Sequence, residues 1–368
     1  MELFRFNTGA SGDPTVLEQG EAINRVKSVR WSERYMEPGE FEITAQLSSG
    51  LRDFLPIGTF ISHNNTLEVM IVENHEIKES EEEDPIVVIT GRSLEVYLEN
   101  RIVGAHLARA SSTFTEYELA AANSWTQAVK LINDHIVSPP ANANDVFGNV
   151  VAVTDITGTG TSAARVIKRG NVHQRLMELL EVDNIGVRTE RRNTFPGGDD
   201  TRTLMKIHKG ENKAASVIFS WKAGDLASAD YLFSNKKLKN SALVQGRYVN
   251  TVVDTGPIKH DRRMMIVDAD DIDGNLGSAP TGATLTAVIN KMIVRGQQEL
   301  KAQKQITISR ADISNLNRYN YREDYYVGDL ITLDGNWGQI AVMRVSEYAE
   351  IEDETGESGH PTLSLPEE

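Results

Sequence analysis

Gly158-Thr159-Gly160-Thr161-Ser162-Ala163 follows the apolar run Val150–Val153 and matches G-x-G-x-x-A. That turn presents a helix N-terminus to a pyrophosphate. The chemistry requires a helix next, and Ala163 to Lys168 offers about six residues before Gly170. No series of βαβ units surrounds the match, so a flexible strand connection is the expected structure. Asp268-Ala269-Asp270-Asp271-Ile272-Asp273-Gly274-Asn275 resembles a calcium loop. Aligning Gly274 with the glycine of an EF-hand puts Ala269 at the first ligand position and Pro280 at the last, so both key carboxylates are missing. A solvated loop of turn residues is the stronger reading of 268–275, with a loose cation site as its alternative.

Ser234-Asn235-Lys236-Lys237 is formally S-x-x-K, without the companion S-D-N and K-T-G motifs. Neither G-x-S-x-G nor H-E-x-x-H occurs. The eight histidines, at 63, 75, 106, 135, 173, 208, 260 and 360, are too far apart in sequence to make a local metal pair. No catalytic, cofactor-binding or metal-ligating residue is therefore nominated. Neither an enzyme activity nor a cofactor is expected.

Composition narrows the remaining classes. With 38 basic and 53 acidic side chains in 368 residues, the net charge is −15. Such a chain serves neither phosphate neutralisation nor attraction to anionic lipid, which argues against a nucleic-acid coat or a membrane binder. Two small basic islands, Lys236-Lys237-Leu238-Lys239 and Arg262-Arg263, suit contact with an acidic protein neighbour. The absence of cysteine excludes disulfides, zinc–thiolate sites and thiol catalysis. No run approaches the ~18 apolar residues of a membrane span, so no membrane insertion is expected. The N-terminus, Met1-Glu2-Leu3-Phe4-Arg5, lacks the form of a secretory signal, and folding in a cytosol is expected.

The first hundred residues read as strands. Val26–Trp31 and Gly39–Ala45 alternate in polarity about the turn Met36-Glu37-Pro38-Gly39, and further strands fit 59–62, 67–72 and 86–90. Glu79–Asp84, five acids and a serine before Pro85, is expected to be a solvated hairpin tip. Leu94, Tyr97 and Leu98 have helical spacing in Gly91-Arg92-Ser93-Leu94-Glu95-Val96-Tyr97-Leu98.

From about 100 to 215 the texture is mixed. The pattern predicts a helix from Trp125 to Ile136 capped by Ser124, and one from Val172 to Leu180 capped by Asn171. Strands at 185–191 and 204–208 flank a loop at 196–200. Beyond 215, strands are expected at 216–220, 242–253, 305–309, 325–333 and 339–349. A helix from about Thr284 to Lys304 buries Leu285, Val288, Ile289, Met292, Ile293 and Leu300, with Gly296 costing it about 1 kcal/mol relative to alanine. The last ten residues are expected to fray.

Two stretches share one plan. Leu55-Pro56-Ile57-Gly58-Thr59-Phe60-Ile61, a turn at His63-Asn64-Asn65, and Val69–Glu73 match Tyr325-Tyr326-Val327-Gly328-Asp329-Leu330-Ile331, a turn at Asp334-Gly335-Asn336, and Val342–Glu347. The glycines lie 270 positions apart (328 − 58). Duplication would make two similar β-barrels bracketing the mixed segment; chance similarity of two hairpins is the alternative.

Arg30-Trp31-Ser32-Glu33-Arg34-Tyr35-Met36-Glu37-Pro38-Gly39-Glu40-Phe41-Glu42-Ile43, then Gly91-Arg92-Ser93-Leu94-Glu95 with Leu98 and Arg101, resembles the opening of siphophage tail proteins of the Gp37-like family. Tyr326-Val327-Gly328-Asp329-Leu330 with Arg344-Val345-Ser346-Glu347 resembles their closing barrel. The resemblance covers the two ends, about half the chain.

It implies a β-rich α+β fold. Tube-like β-barrel domains at 1–100 and 216–368 bracket a lateral α/β domain at 101–215, and the second barrel carries a helix-containing insertion at about 254–304. It implies a baseplate hub, a homotrimer at the distal end of the tail whose six barrels adapt a sixfold tube to a threefold tip. Implied partners are the distal tail protein, tail-tube proteins, the tape measure protein and tail fibre or tip proteins. Phage DNA would pass transiently through an acidic lumen without specific binding. The implied location is the virion tail tip, assembled in the host bacterial cytoplasm. The chain ends soon after its last expected strand, so any cell-wall hydrolase or fibre is expected on a separate polypeptide. The rival reading is a glycan-binding module using Tyr319, Tyr321, Tyr325, Tyr326 and Trp337, against which stands a barrel-core role for the same rings. A peptidoglycan hydrolase is the remaining alternative, with no catalytic pair to support it.

Overall fold

The computed structural model describes all residues except 8–16, 19, 81–83, 106–116, 140–146, 149, 159, 193–201, 257–260, 275, 302, 304–305, 314–317, 336–339 and 365–368. The side chains of 182, 227–234 and 306–313 also fall outside the description. The architecture is β-rich α+β. A ten-stranded sheet runs in the order Leu3–Arg5, Phe60–His63, Met70–Lys78, Ile86–Ser93, Glu40–Gln46, Ser28–Arg34, Ile340–Asp353, Leu330–Asp334, Ile218–Ser220, with Gly356–Ser364 on Ile340–Asp353. None of the sheets closes into a barrel among the described residues.

Six strands from the N-terminal end and four from beyond residue 216 meet at one seam. There Arg34 opposes Glu347 and Val29 opposes Glu352, antiparallel. The alternation read from the sequence drives the local structure on the N-terminal side. Val29 and Trp31 are buried while Arg30 is exposed, and across the next register Phe41 and Ile43 are buried with them. Trp31 is fully buried, stacked on Phe41 at 6.0 Å; truncating such a side chain costs about 3–5 kcal/mol.

The repeated plan is present in the hydrogen bonds. Gly58 N–H donates to Val72 O (2.8 Å) and Val72 N–H to Thr59 O (2.9 Å). Gly328 N–H donates to Val345 O (2.8 Å) and Val345 N–H to Asp329 O (3.0 Å). Both glycines have left-handed φ, +92° and +100°, which side-chain-bearing residues rarely adopt. The spatial order of the strands is similar as well, although hydrogen-bonded pairing is continuous only in the first unit. Phe60–His63, Met70–Lys78, Ile86–Ser93, Glu40–Gln46 and Ser28–Arg34 are successive neighbours. Correspondingly, Leu330–Asp334 pairs with Ile340–Asp353, which pairs with Gly356–Ser364. That strand lies against Ile306–Ile313, which pairs with Leu226–Ser234. Each unit has its own core: Leu3, Trp31, Phe41, Ile43, Ile61 and Ile89 in one, Phe219, Tyr325, Ile331, Leu333 and Met343 in the other.

Between the units, Gly186–Arg191, Thr203–His208 and Val150–Thr154 form a three-stranded sheet, and Tyr117–Ala122 pairs with Ala163–Ile167. The helix expected from Trp125 is Ser124–Ile132, passing into a π-turn at Asn133–Val137. Its cap is Asn123, not Ser124, because Asn123 Oδ1 accepts the Thr126 N–H at 2.9 Å. The Ser124 hydroxyl bonds Asp183 instead. Val172–Leu180 begins at its expected cap, Asn171, which accepts Gln174 N–H at 3.0 Å.

Within the second unit lies a small α/β layer. Ser241–Gln245 sits between Asn250–Asp254 and Met264–Asp268, under the helix Gly282–Lys301. The single strand expected over 242–253 is thus a hairpin, turned at Gly246, whose N–H donates to Val249 O at 2.9 Å. Gly296 lets the helix approach this sheet. A Cβ there would lie 2.6 Å from Val244 Cγ2 and 2.8 Å from Val253 Cγ2. Two further expectations need correction. Gly91–Ser93 ends a strand, and only Val96–Glu99 is helical, for one turn. Ala163 begins a strand, in line with the strand connection expected there, so Gly158 and Gly160 have no helix N-terminus to offer. The tail is paired through Gly356–Ser364 rather than frayed, because Ile340–Asp353 is long enough to serve as its template, while residues 365–368 lie outside the described residues.

Candidate functional site

A buried polar junction forms at the seam around Glu33, a residue of the first motif. Arg322, in the loop before the second unit's glycine turn, has φ +68° and reaches across to Ser28–Arg34. Its Nη2 donates to Glu33 Oε1 at 2.8 Å and its Nη1 to Glu350 Oε1 at 2.5 Å, while the guanidinium lies 4.8 Å over the Tyr321 ring. Glu33 also accepts the Thr66 hydroxyl and, at 2.5 Å, that of Tyr321. Burial alone would raise the Glu33 carboxyl. The Arg322 charge and these hydrogen bonds overcome it and hold the carboxyl down to about 2. His63 lies edge-on to Trp31 at 4.9 Å. Burial, with Arg322 beside it, lowers it to about 3, so it is neutral at pH 7.

Tyr35, the next motif residue, joins three segments. Its hydroxyl donates to Asn184 O at 2.9 Å, and its ring takes the edge of His208 at 5.1 Å and the Arg344 guanidinium at 4.9 Å. A methyl on Gly328 would stand 2.4 Å from that ring. Asp329 Oδ1 accepts Glu211 N–H at 2.7 Å and its Oδ2 accepts Tyr326 N–H at 3.0 Å, which fixes the turn. Arg92 makes a fork to Glu73 (2.7 and 3.0 Å) and bonds Glu99 at 2.7 Å. Glu95, its carboxyl raised by burial, accepts the Thr189 hydroxyl at 3.0 Å. These side chains fasten segments together.

The other sequence candidates are spent internally. Asp273 accepts the N–H groups of Arg247, Tyr248 and Val249 at 2.7, 2.7 and 2.9 Å, and Asp271 pairs with Arg295. The carboxylates of 268–274 thus face different partners, and Asn275 lies outside the described residues. Arg262 pairs with Asp254 and Arg263 with Asp261, so the second basic island is engaged within the chain. Of the aromatic group, Tyr325 is buried, Tyr321 stacks on Tyr348 at 3.8 Å and Tyr319 meets Phe219 edge-on at 5.4 Å. Tyr326 is 42% exposed, and Trp337 lies outside the described residues. Sequence reasoning does not single out Glu33, His63, Glu68 or Arg322 for a role. A charged residue inside an alternating strand, as Glu33 is, is the available signal.

Comparison with solved structures finds the same fold in tail proteins, two of them from prophages. The tail protein from Neisseria meningitidis MC58 superposes with a TM-score of 0.55 at 11% identity, covering 94% of each chain. The 43 kDa tail protein of prophage MuSo2 from Shewanella oneidensis gives 0.55 at 12% identity, over 99% of this chain and 96% of that one. Prophage tail protein gp18 from Listeria monocytogenes EGD-e gives 0.53 at 10% identity, over 100% and 95%. No curated protein matches the sequence. The fold is the one these tail proteins share. The family model described as Siphovirus ReqiPepy6 Gp37-like protein matches residues 13–363, and the chain belongs to that family. As a tail protein it is a component of the virion. Among the described residues no helix is long and apolar enough to cross a membrane.

Proposed function

We propose that the protein is a homotrimeric hub at the distal end of a siphophage tail, joining a sixfold tube to a threefold tip. The observation that carries this reading is the duplicated β unit, with the same glycine turn leading into the same antiparallel hairpin twice in one chain. Three chains then present six equivalent units around an axis. The units at 1–100 and 216–368 act as tube-like domains whose sheets curve into barrel walls in the assembly. The segment 101–215 projects laterally toward neighbouring tip proteins. Partners are the distal tail and tube proteins on one side and fibre or tip proteins on the other, with the tape measure protein and then DNA passing through the centre.

The role is mechanical rather than enzymatic. Every motif side chain described above joins one segment to another, as a load-transmitting ring requires. An acidic inner wall would repel DNA and keep it sliding, a use for the net charge of −15. Light scattering on the purified protein tests the assembly. Three chains of 40.7 kDa give 3 × 40.7, about 122 kDa. A particle of two or four chains would refute the threefold reading.

A further inference from the structure

The seam inside the chain fills one edge of Ile340–Asp353. That strand pairs with Gly356–Ser364 along one side. Its other side takes Leu330–Asp334 at 340–344 and then Ser28–Arg34 at 347–352. The glycine turns give the matching positions in the first unit. Gly328 N–H bonds Val345 O as Gly58 N–H bonds Val72 O, so 347–351 correspond to 74–78, an offset of 345 − 72 = 273. The surroundings agree. His75 Nε2 donates to Leu55 O at 2.8 Å, and its counterpart Tyr348 meets Tyr325, the counterpart of Leu55, edge-on at 6.3 Å.

In the first unit this edge is open. Met70–Lys78 pairs with Ile86–Ser93 along one side, while Phe60–His63 reaches only Met70 and Ile71 on the other. Residues 74–78 have no strand on that side among the described residues, and Ile77 is 42% exposed. A second edge is open as well. Leu226–Ser234 stands in the second unit where Ser28–Arg34 stands in the first, and among the described residues it pairs with Ile306–Ile313 alone. Unpaired strand edges are templates for further pairing.

We propose that the open edge at 74–78 of one copy pairs antiparallel with the open edge of Leu226–Ser234 of the next copy. This repeats between chains the seam that joins the two units within one chain. The inference rests on the ring reading above and supplies its joint. A second copy is the occupant because each open edge has a counterpart inside the chain, and those counterparts pair with each other. Each chain carries one edge of each kind, so the contact is head-to-tail and either closes as a ring or runs on as a filament. An arginine repeats with the edge. Arg52 stands six residues before Gly58, as Arg322, which crosses the seam to Glu33, stands six before Gly328. Arg52 is half-exposed, and its ion-pair partner among the described residues is the adjacent Asp53. Its guanidinium is therefore available to an incoming strand.

The chain has no cysteine, so introduced thiols are the only ones present. In the full chain, Ile77→Cys is combined in turn with Ser228→Cys, Ala229→Cys, Asp230→Cys, Tyr231→Cys and Leu232→Cys. Facing strand residues lie within the roughly 4.4–6.8 Å between Cα atoms that a disulfide spans. After mild oxidation, at least one pair should give linked chains of about 81 and 122 kDa (2 × 40.7 and 3 × 40.7) on a non-reducing gel. The single variants should give none. Should the variants fail to fold, hydrogen exchange on the unaltered protein replaces them. The amides of 74–78 and 226–234 should exchange more slowly in the assembled particle than in the dilute monomer. Linkage at no pair, or equal exchange, overturns the strand pairing. A particle of three chains without linkage would leave the hub reading standing with its contacts elsewhere. A ladder running beyond three chains would uphold the pairing and end the threefold reading.

Discussion

Replacing Arg322 by methionine removes the cation between Glu33 and Glu350 while leaving an apolar stem near Tyr321. Removing one partner of a buried ion pair costs about 3–5 kcal/mol, because the remaining charge stays buried without compensation. Glu33 gives a similar figure, which contains the Arg322 charge together with the Thr66 and Tyr321 hydrogen bonds. Its carboxyl titrates at about 2 instead of 4.5, a difference worth about 3 kcal/mol at neutral pH. The assay is urea unfolding followed by tryptophan fluorescence, for which Trp31 beside His63 is a local reporter. Hydrogen exchange would locate the damage, which should fall on the seam where residues 347–352 oppose 29–34. A Glu33→Gln, Arg322→Met double variant should lose less than the sum of the single losses, since a neutral amide in place of the Glu33 carboxylate needs no cation. A single variant within about 1 kcal/mol of the parent, or strictly additive losses, would refute the claim that this pair holds the two units together.

The junction also sets an acid limit. The folded-state values of Glu33 (about 2 against 4.5) and His63 (about 3 against 6.5) both lie below their unfolded values. The unfolded chain therefore takes up these protons first, and the stability they contribute is complete above pH 6.5 and lost progressively toward pH 2. Glu68, Glu95 and Glu350, whose carboxyls burial raises, act in the opposite sense, so the test is a difference: the change in urea midpoint from pH 7 to 3 should be less destabilising in Glu33→Gln than in the parent, and an identical change would contradict it. Gly296→Val should destabilise by about 1–3 kcal/mol, although valine is the better helix former, because the added atoms meet Val244 and Val253. Calorimetry that finds a gain would show that the helix can move off the sheet. Asp273→Ala should leave three N–H groups of the 247–249 turn without an acceptor and cost about 1–3 kcal/mol, with exchange protection lost there first.

Local chemistry is legible in the sequence and long-range pairing is not. Asn171 capping Val172–Leu180, the apolar stripe of Gly282–Lys301 and the Pro38-Gly39 turn follow from residues a few positions apart. The repeat is visible because its glycines must adopt positive φ, a demand that few residue types meet. The seam joins positions more than 300 apart, and nothing local specifies it. The junction is hidden for the same reason. Glu33 and Arg322 each read as an ordinary surface charge until the fold sets them 2.8 Å apart. The strand Met264–Asp268 escapes the pattern because its exposed Met264 and Ile266 break the usual alternation of buried apolar and exposed polar residues.

The central claim is that two equivalent β units per chain build a ring. Negative-stain images of the purified particle, averaged along its axis, test this most directly. Six similar lobes of density around an open centre are the expected result. Three lobes, or a compact particle with no central opening, would contradict it.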